Sequence, residues 1–121
     1  MKRLARDAAE LLPLKQATYQ ILLALDEGEL MHGYAIMQAI AAMTGGRESI
    51  LPGTLYAALA RMVDEKLVEE STPPHDDPSG GPPRRYYRRT RFGRAVARAE
   101  SERLRSLLAV AQAQKILGDG E

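Results

Sequence analysis

Arg84-Arg85-Tyr86-Tyr87-Arg88-Arg89-Thr90 is the stretch on which the reading of this chain turns. It alternates with the two-residue period of a β-strand, and it is both basic and aromatic. That chemistry suits a strand lying beside a phosphate backbone. Taken alone, it equally suits any charged edge strand. What lies on either side narrows the choice.

Downstream, Phe92, Val96, Ala99, Leu104, Leu107, Ala111 and Leu117 recur near a three-to-four spacing, which predicts one long helix over 91–117. Upstream, residues 73–83 hold five of the chain's seven prolines, with Gly80, Gly81, Asp76 and Asp77, and read as a loop. Leu67 to Thr72 reads as a strand, so 67–72 and 84–90 form a β-hairpin with a long tip. Before it, Pro52 suits the first turn of a helix over about 52–66, with Leu55, Leu59, Met62 and Val63 as its buried stripe. Gly53, Thr54, Ala57, Arg61 and Asp64 fall on its other side. Ile36, Met37, Ile40 and Met43 mark a helix that follows Gly33 and ends at Gly45-Gly46. Leu14, Thr18, Ile21, Leu22 and Leu25 mark another over about 14–26, and residues 4–12 a short amphipathic one stopped near Pro13.

The totals set bounds. The chain has 121 residues, 45% hydrophobic, enough for a single domain with a modest core and a helical appendage. Net charge is +1, but its distribution is uneven. From Pro78 to Ala99 there is no acid, while Arg84, Arg85, Arg88, Arg89, Arg91, Arg94 and Arg98 all fall there, and local charge is what a phosphate meets. There is no cysteine, which excludes disulfides and thiolate metal sites. The first residues lack a signal-peptide core, and no segment approaches the ~18 apolar residues of a membrane span. The expectation is a cytoplasmic protein with no membrane partner. His75, Asp76 and Asp77 match no standard metal-ligand spacing, and no nucleophile, histidine and carboxylate fall in a catalytic arrangement. Neither an enzyme, nor a cofactor, nor a metal is expected.

The order helix, helix, helix, strand, turn, strand, helix is that of a winged helix-turn-helix, mainly α with a small β-hairpin. In that architecture the third helix enters the major groove and the wing touches the backbone or minor groove. Three motifs then carry a resemblance. His32-Gly33-Tyr34-Ala35-Ile36 matches the start of helix two in PadR-like transcriptional regulators. Pro52-Gly53-Thr54-Leu55-Tyr56, continuing to Leu59, matches their recognition helix. Arg85-Tyr86-Tyr87-Arg88-Arg89-Thr90, with Gly93 and Arg94, matches their wing and its exit. The resemblance covers about residues 13–95, and the single C-terminal helix resembles the short members. Two positions depart from the pattern. Leu51 stands where a side-chain N-cap is usual, a loss of about 1 kcal/mol. Lys66 stands where a glycine usually ends the recognition helix, which predicts an end without a left-handed glycine.

The candidate DNA contacts are His32, Gly33, Tyr34, Gly53, Thr54, Tyr56, Arg61, Arg84, Arg85, Tyr87 and Arg88. His32 is a phosphate or ligand contact, or else a cap. Gly33 permits a close approach. Tyr34 reaches a phosphate or only packs. Thr54 stands where a base edge is within reach. Tyr56 divides between core and contact. Arg61 meets a phosphate, or pairs with Asp64 or Glu65. Of the two wing tyrosines, one packs inward. The wing arginines are expected on phosphate, which supplies affinity, while the start of helix three supplies selectivity.

The apolar stripe of the last helix outruns a small domain, so its expected partner is the same helix of a second copy, with Leu4, Leu11, Phe92, Val96, Ala99, Leu104, Leu107, Ala111 and Leu117 at the interface. The expected division is 1–13 as an N-terminal helix or arm, 14–90 as the DNA-binding domain and 91–121 as the dimerisation helix. The resemblance implies a homodimeric repressor on double-stranded DNA with an inverted-repeat operator, released by a small-molecule effector that nothing in the sequence names. In some short relatives paired tryptophans of the last helix stack flat drugs, and this chain has no Trp. The competing reading is a winged protein-interaction module whose basic wing is only a solvated edge.

Overall fold

The structure, a computed structural model, describes residues 7–26, 28–71 and 84–118. Leu4, and His75, Asp76 and Asp77 of the wing tip, lie outside the described residues. After a helical stretch at 7–10 come α1 (Gln16–Ala24), β1 (Met31–His32), α2 (Gly33–Met43), α3 (Pro52–Asp64), β2 (Val68–Ser71), β3 (Tyr86–Arg89) and α4 (Arg91–Ala113). This is a winged helix-turn-helix fold with a long C-terminal helix.

The apolar spacing of each helix becomes its buried face. Ile21 and Leu22 of α1, Ile36 and Ile40 of α2, and Leu55, Leu59 and Met62 of α3 are fully buried against one another. Leu67 and Val68 close the core from the sheet, and Val96 from α4. Each such side chain contributes about 2 kcal/mol over its exposed state.

The sheet differs from the expected hairpin by one strand. β1, only two residues long, pairs antiparallel with β3 through Met31↔Tyr87 and His32↔Tyr86. The order is β1-β3-β2, so the Arg/Tyr strand is central, and not an edge. Two residues have no period, so β1 left no trace in the sequence pattern. On the other side β2 pairs with β3 from Val68↔Arg89 to Ser71↔Tyr86. This register sends Tyr87 and Arg89 inward and Tyr86 and Arg88 outward. The inward Arg89 donates to the Leu22 carbonyl at 2.9 Å, satisfying a backbone acceptor that the last turn of α1 leaves free.

Three helix ends follow local chemistry. α3 begins at Pro52 with no side-chain cap on Leu51, as expected. It ends without glycine because Lys66 itself takes the left-handed conformation, φ +65°. Leu67 N–H then reaches the Met62 carbonyl at 2.9 Å and Lys66 N–H the Val63 carbonyl at 3.0 Å, the two bonds of a Schellman motif. The same device ends α4 early. Lys115 has φ +60°, with Ile116 N–H on the Ala111 carbonyl at 2.9 Å, so the helix stops at Ala113 and not at the expected 117.

α4 divides into two halves. Its first turns belong to the domain. Thr90 caps it by accepting the Gly93 N–H at 2.9 Å while its hydroxyl lies 2.6 Å from the Lys66 carbonyl. Glu100 is buried; it accepts the Leu14 backbone N–H and a two-pronged contact from Arg103 at 2.7 and 2.9 Å. The Arg103 hydrogen bond holds its carboxyl below the ordinary range, against the opposing effect of burial. Val96, expected at a dimer interface, is 0% exposed inside this core, a correction that follows from Gly93 letting α4 close onto the Leu67 backbone. Leu11, Phe92 and Ala99 are half-buried against the same core. Beyond them Leu104 and Ala111 are half-buried, and Leu107, Leu108, Val110 and Leu117 are exposed.

Candidate nucleic-acid interface

The start of α3 is open. Pro52, Gly53 and Thr54 are exposed, as are Tyr56, Ala57, Ala60 and Arg61, while Leu55, Ala58, Leu59 and Met62 face the core. The residues that Gly53 and Thr54 leave bare are small, so a surface can approach the backbone here. Ala57 and Ala60 continue this face, and Ala60 was not singled out by the sequence pattern. Arg61 lies two turns beyond Thr54, about 10 Å along the axis. It makes no ion pair among the described residues and lines an open cleft of about 420 Å³ with Leu11, Pro13, Leu14, Lys15, Thr18, Asp64, Glu65 and Leu67. It is therefore set apart from the cluster at the start of α3.

Gly33 is the hinge between the helices. It is buried, and the Tyr56 ring lies so close over it that a Cβ would meet the ring carbons at 2.7 and 3.0 Å. Gly33 is thus a packing residue under Tyr56, and not itself a surface contact. Tyr56 has its ring on Gly33 and half its surface open. Tyr34, one residue on, is 62% exposed.

His32 caps α2, its Nδ1 accepting the Ala35 N–H at 3.2 Å. Tyr86, its partner across the sheet, meets the imidazole in a T-shaped contact with ring centroids 5.6 Å apart. Arg84 Nη1 lies 3.4 Å from His32 Nε2. The start of α2, the start of α3 and the central strand thus converge.

The wing arginines are not equivalent. Arg88 donates to Glu69 through Nε at 2.9 Å and Nη2 at 2.5 Å, directly across the strands. Arg85 lies 3.4 Å from Glu70. Arg84 makes no ion pair among the described residues. The acids that answer the basic strand sit on β2, outside the acid-free run, where only the register brings them opposite.

Tyr87 is a correction. It is 4% exposed and belongs to the core, because alternation in β3 turns it inward; the outward ring is Tyr86. Burial pushes the Tyr87 hydroxyl above its ordinary range, Glu70 adds to this, and Arg85 opposes it. Tyr86 could have been found from the sequence only by knowing the parity of the strand.

Comparison with known proteins identifies relatives of the fold. Residues 21–99 match the transcriptional regulator PadR-like family. Among solved structures, a transcriptional regulator from Clostridium thermocellum is 26% identical, covering 80% of this chain and 87% of its own, with a TM-score of 0.67. A PadR family transcription regulator from hypervirulent Clostridium difficile R20291 is 26% identical, covering 86% and 100%, with a TM-score of 0.64. Bacillus subtilis PadR in complex with operator DNA is 22% identical over 76% of this chain and 48% of its own, with a TM-score of 0.58, a likeness of fold. A search of curated proteins finds no match. Among the described residues no helix is long and apolar enough to cross a membrane.

Proposed function

The chain belongs to the PadR-like family of transcriptional regulators, and from that premise we propose that this DNA-binding regulator is a homodimeric cytoplasmic repressor. Two copies place their α3 helices in successive major grooves of an inverted repeat. Gly53 and Thr54 stand at the groove floor, Tyr34 and Tyr56 at its rim, and Arg84, Arg85 and Arg88 beside the phosphates. The exposed half of α4 is the surface through which the copies join. A small-molecule effector releases the operator, as the family resemblance implies. Bacillus subtilis PadR has been seen on operator DNA, and the same fold here carries its open helix start beside a basic wing.

The observation that carries this reading is the junction at Gly33. It seats Tyr56 on α2, aligning the bare start of α3 with His32 and Arg84. The test is affinity for a duplex selected from a random library, measured at two salt concentrations against a scrambled duplex. Specific binding that falls steeply with salt is expected. Equal affinity for the scrambled duplex would leave the protein-interaction reading in its place.

A further inference from the structure

His32 sits between two donors. Its Nδ1 faces the Ala35 N–H at 3.2 Å and its Nε2 faces Arg84 Nη1 at 3.4 Å. A neutral imidazole has one acceptor nitrogen and one N–H, and an imidazolium has no acceptor. Both contacts therefore cannot be hydrogen bonds together. The Ala35 N–H is held in place by the first turn of α2, where backbone donors lack helical partners, whereas Arg84 is an exposed side chain free to turn. The lone pair thus belongs on Nδ1 and the proton on Nε2. In that tautomer Nε2–H and the Arg84 guanidinium face each other as donor to donor. Such a pair becomes favourable when one anionic oxygen accepts from both.

Nothing else claims these donors among the described residues. Arg85 and Arg88 are paired with Glu70 and Glu69, and Arg89 with the Leu22 carbonyl, but among the described residues Arg84 meets only His32. The edge contact with Tyr86 fixes the imidazole plane, and the β1–β3 pairing fixes its position. We infer that His32 Nε2–H and Arg84 form a two-donor clamp on a single backbone phosphate of the bound DNA, with His32 neutral and capping α2 at the same time. The inference rests on the DNA-binding reading and adds the tautomer, the pairing and the atom that each side chain supplies. A phosphate fits better than a base edge because the clamp stands on α2 and the wing, beside α3 and not on its open face.

A neutral donor releases no counterion, so the two halves of the clamp differ in salt dependence. Arg84→Ala lowers the slope of log affinity against log salt by about one, and His32→Ser leaves it nearly unchanged. Serine keeps the cap, since its hydroxyl accepts the same N–H, but cannot reach the phosphate. The experiment is a scan of single methylphosphonate substitutions along the selected duplex. The wild-type protein is expected to weaken about tenfold at one phosphate per half-site, the scale of a hydrogen bond to a charged group. His32→Ser and Arg84→Ala should each lose sensitivity at that same phosphate while keeping it elsewhere, and the double variant should bind little worse than Arg84→Ala. If both variants keep the wild-type profile, or lose sensitivity at two different phosphates, the clamp is refuted while DNA binding stands. If no duplex is selected at all, the DNA-binding reading fails and the clamp with it. Arg84→Ala lies on the surface and supplies one profile, and if His32→Ser unfolds, His32→Thr, which also caps α2 without reaching the phosphate, supplies the other.

Discussion

Lys66 and Gly93 meet across the Leu67 carbonyl, and each shows how one residue's backbone needs shape the wing. Lys66 holds φ +65°, a conformation that costs a side-chain-bearing residue about 1–2 kcal/mol and glycine almost nothing. Gly93 has an ordinary conformation but no room. A Cβ there would lie 3.0 Å from the Leu67 carbonyl carbon and closer still to its oxygen, which already accepts the Thr90 N–H. Substitutions at the two sites should therefore act in opposite directions. Lys66→Gly should stabilise by about 0.5 kcal/mol, the relief of strain being partly offset by glycine's greater unfolded freedom and by loss of a cation at the C-terminus of α3. Gly93→Ala should destabilise by about 2 kcal/mol, because backbone and not a flexible side chain must give way. Urea melts of both variants check this, and a shift of the same sign in both would contradict it. The glycine in the wing-exit motif was legible in the sequence, but its reason was not. That reason is the Leu67 carbonyl, between α3 and β2.

At the scale of the element, the wing is a short ladder of opposite charges. Glu69 and Arg88 are directly opposed, and both are about half exposed, at 52% and 46%. Exposed pairs of this kind contribute about 0.2–1 kcal/mol. That is too little to hold Arg88 from a phosphate, yet enough to lower affinity up to about fivefold if the pair must part. Glu69→Gln should therefore raise affinity for the selected duplex about two- to fivefold and steepen its salt dependence, as read by fluorescence anisotropy. Unchanged or weaker binding would mean that Arg88 does not leave Glu69 when DNA binds. The arginine run was visible as a basic stretch, and Glu69 and Glu70 were visible as acids. Their pairing was not, because it depends on a register set between residues far apart in the chain. The same register decided which of two adjacent tyrosines is core.

At the scale of the whole molecule, α4 serves two masters. About its first ten residues complete the domain core, with Val96 and Ala97 buried and Glu100 tied to Leu14 and Arg103. The rest runs on with Leu107 56% and Leu108 53% exposed, and with Val110 beside them. An apolar helix face of this length is poorly matched to water and well matched to its own copy. Leu107→Glu together with Leu108→Glu should leave the domain folded, since neither touches its core, and should abolish self-association in sedimentation equilibrium. DNA affinity should fall steeply with it, because each half-site would then be held alone. A variant that sediments as the wild type would place the interface elsewhere.

The chain's sequence by itself determined the helices, the wing and the family, because apolar spacing and three short motifs are local and survive without knowledge of neighbours. It determined that α3 starts bare and that the last helix exceeds the needs of one small domain. Only the tertiary structure decided the rest. The two-residue strand β1 is defined by its pairing with β3. Tyr87 is core and Tyr86 surface because strand parity is set by pairing. Val96 is interior because Gly93 lets α4 close on the Leu67 backbone. His32 and Arg84 meet although 52 positions separate them. Each of these is a contact between residues distant in the chain, and periodicity carries no information about what lies across a gap that the fold alone closes.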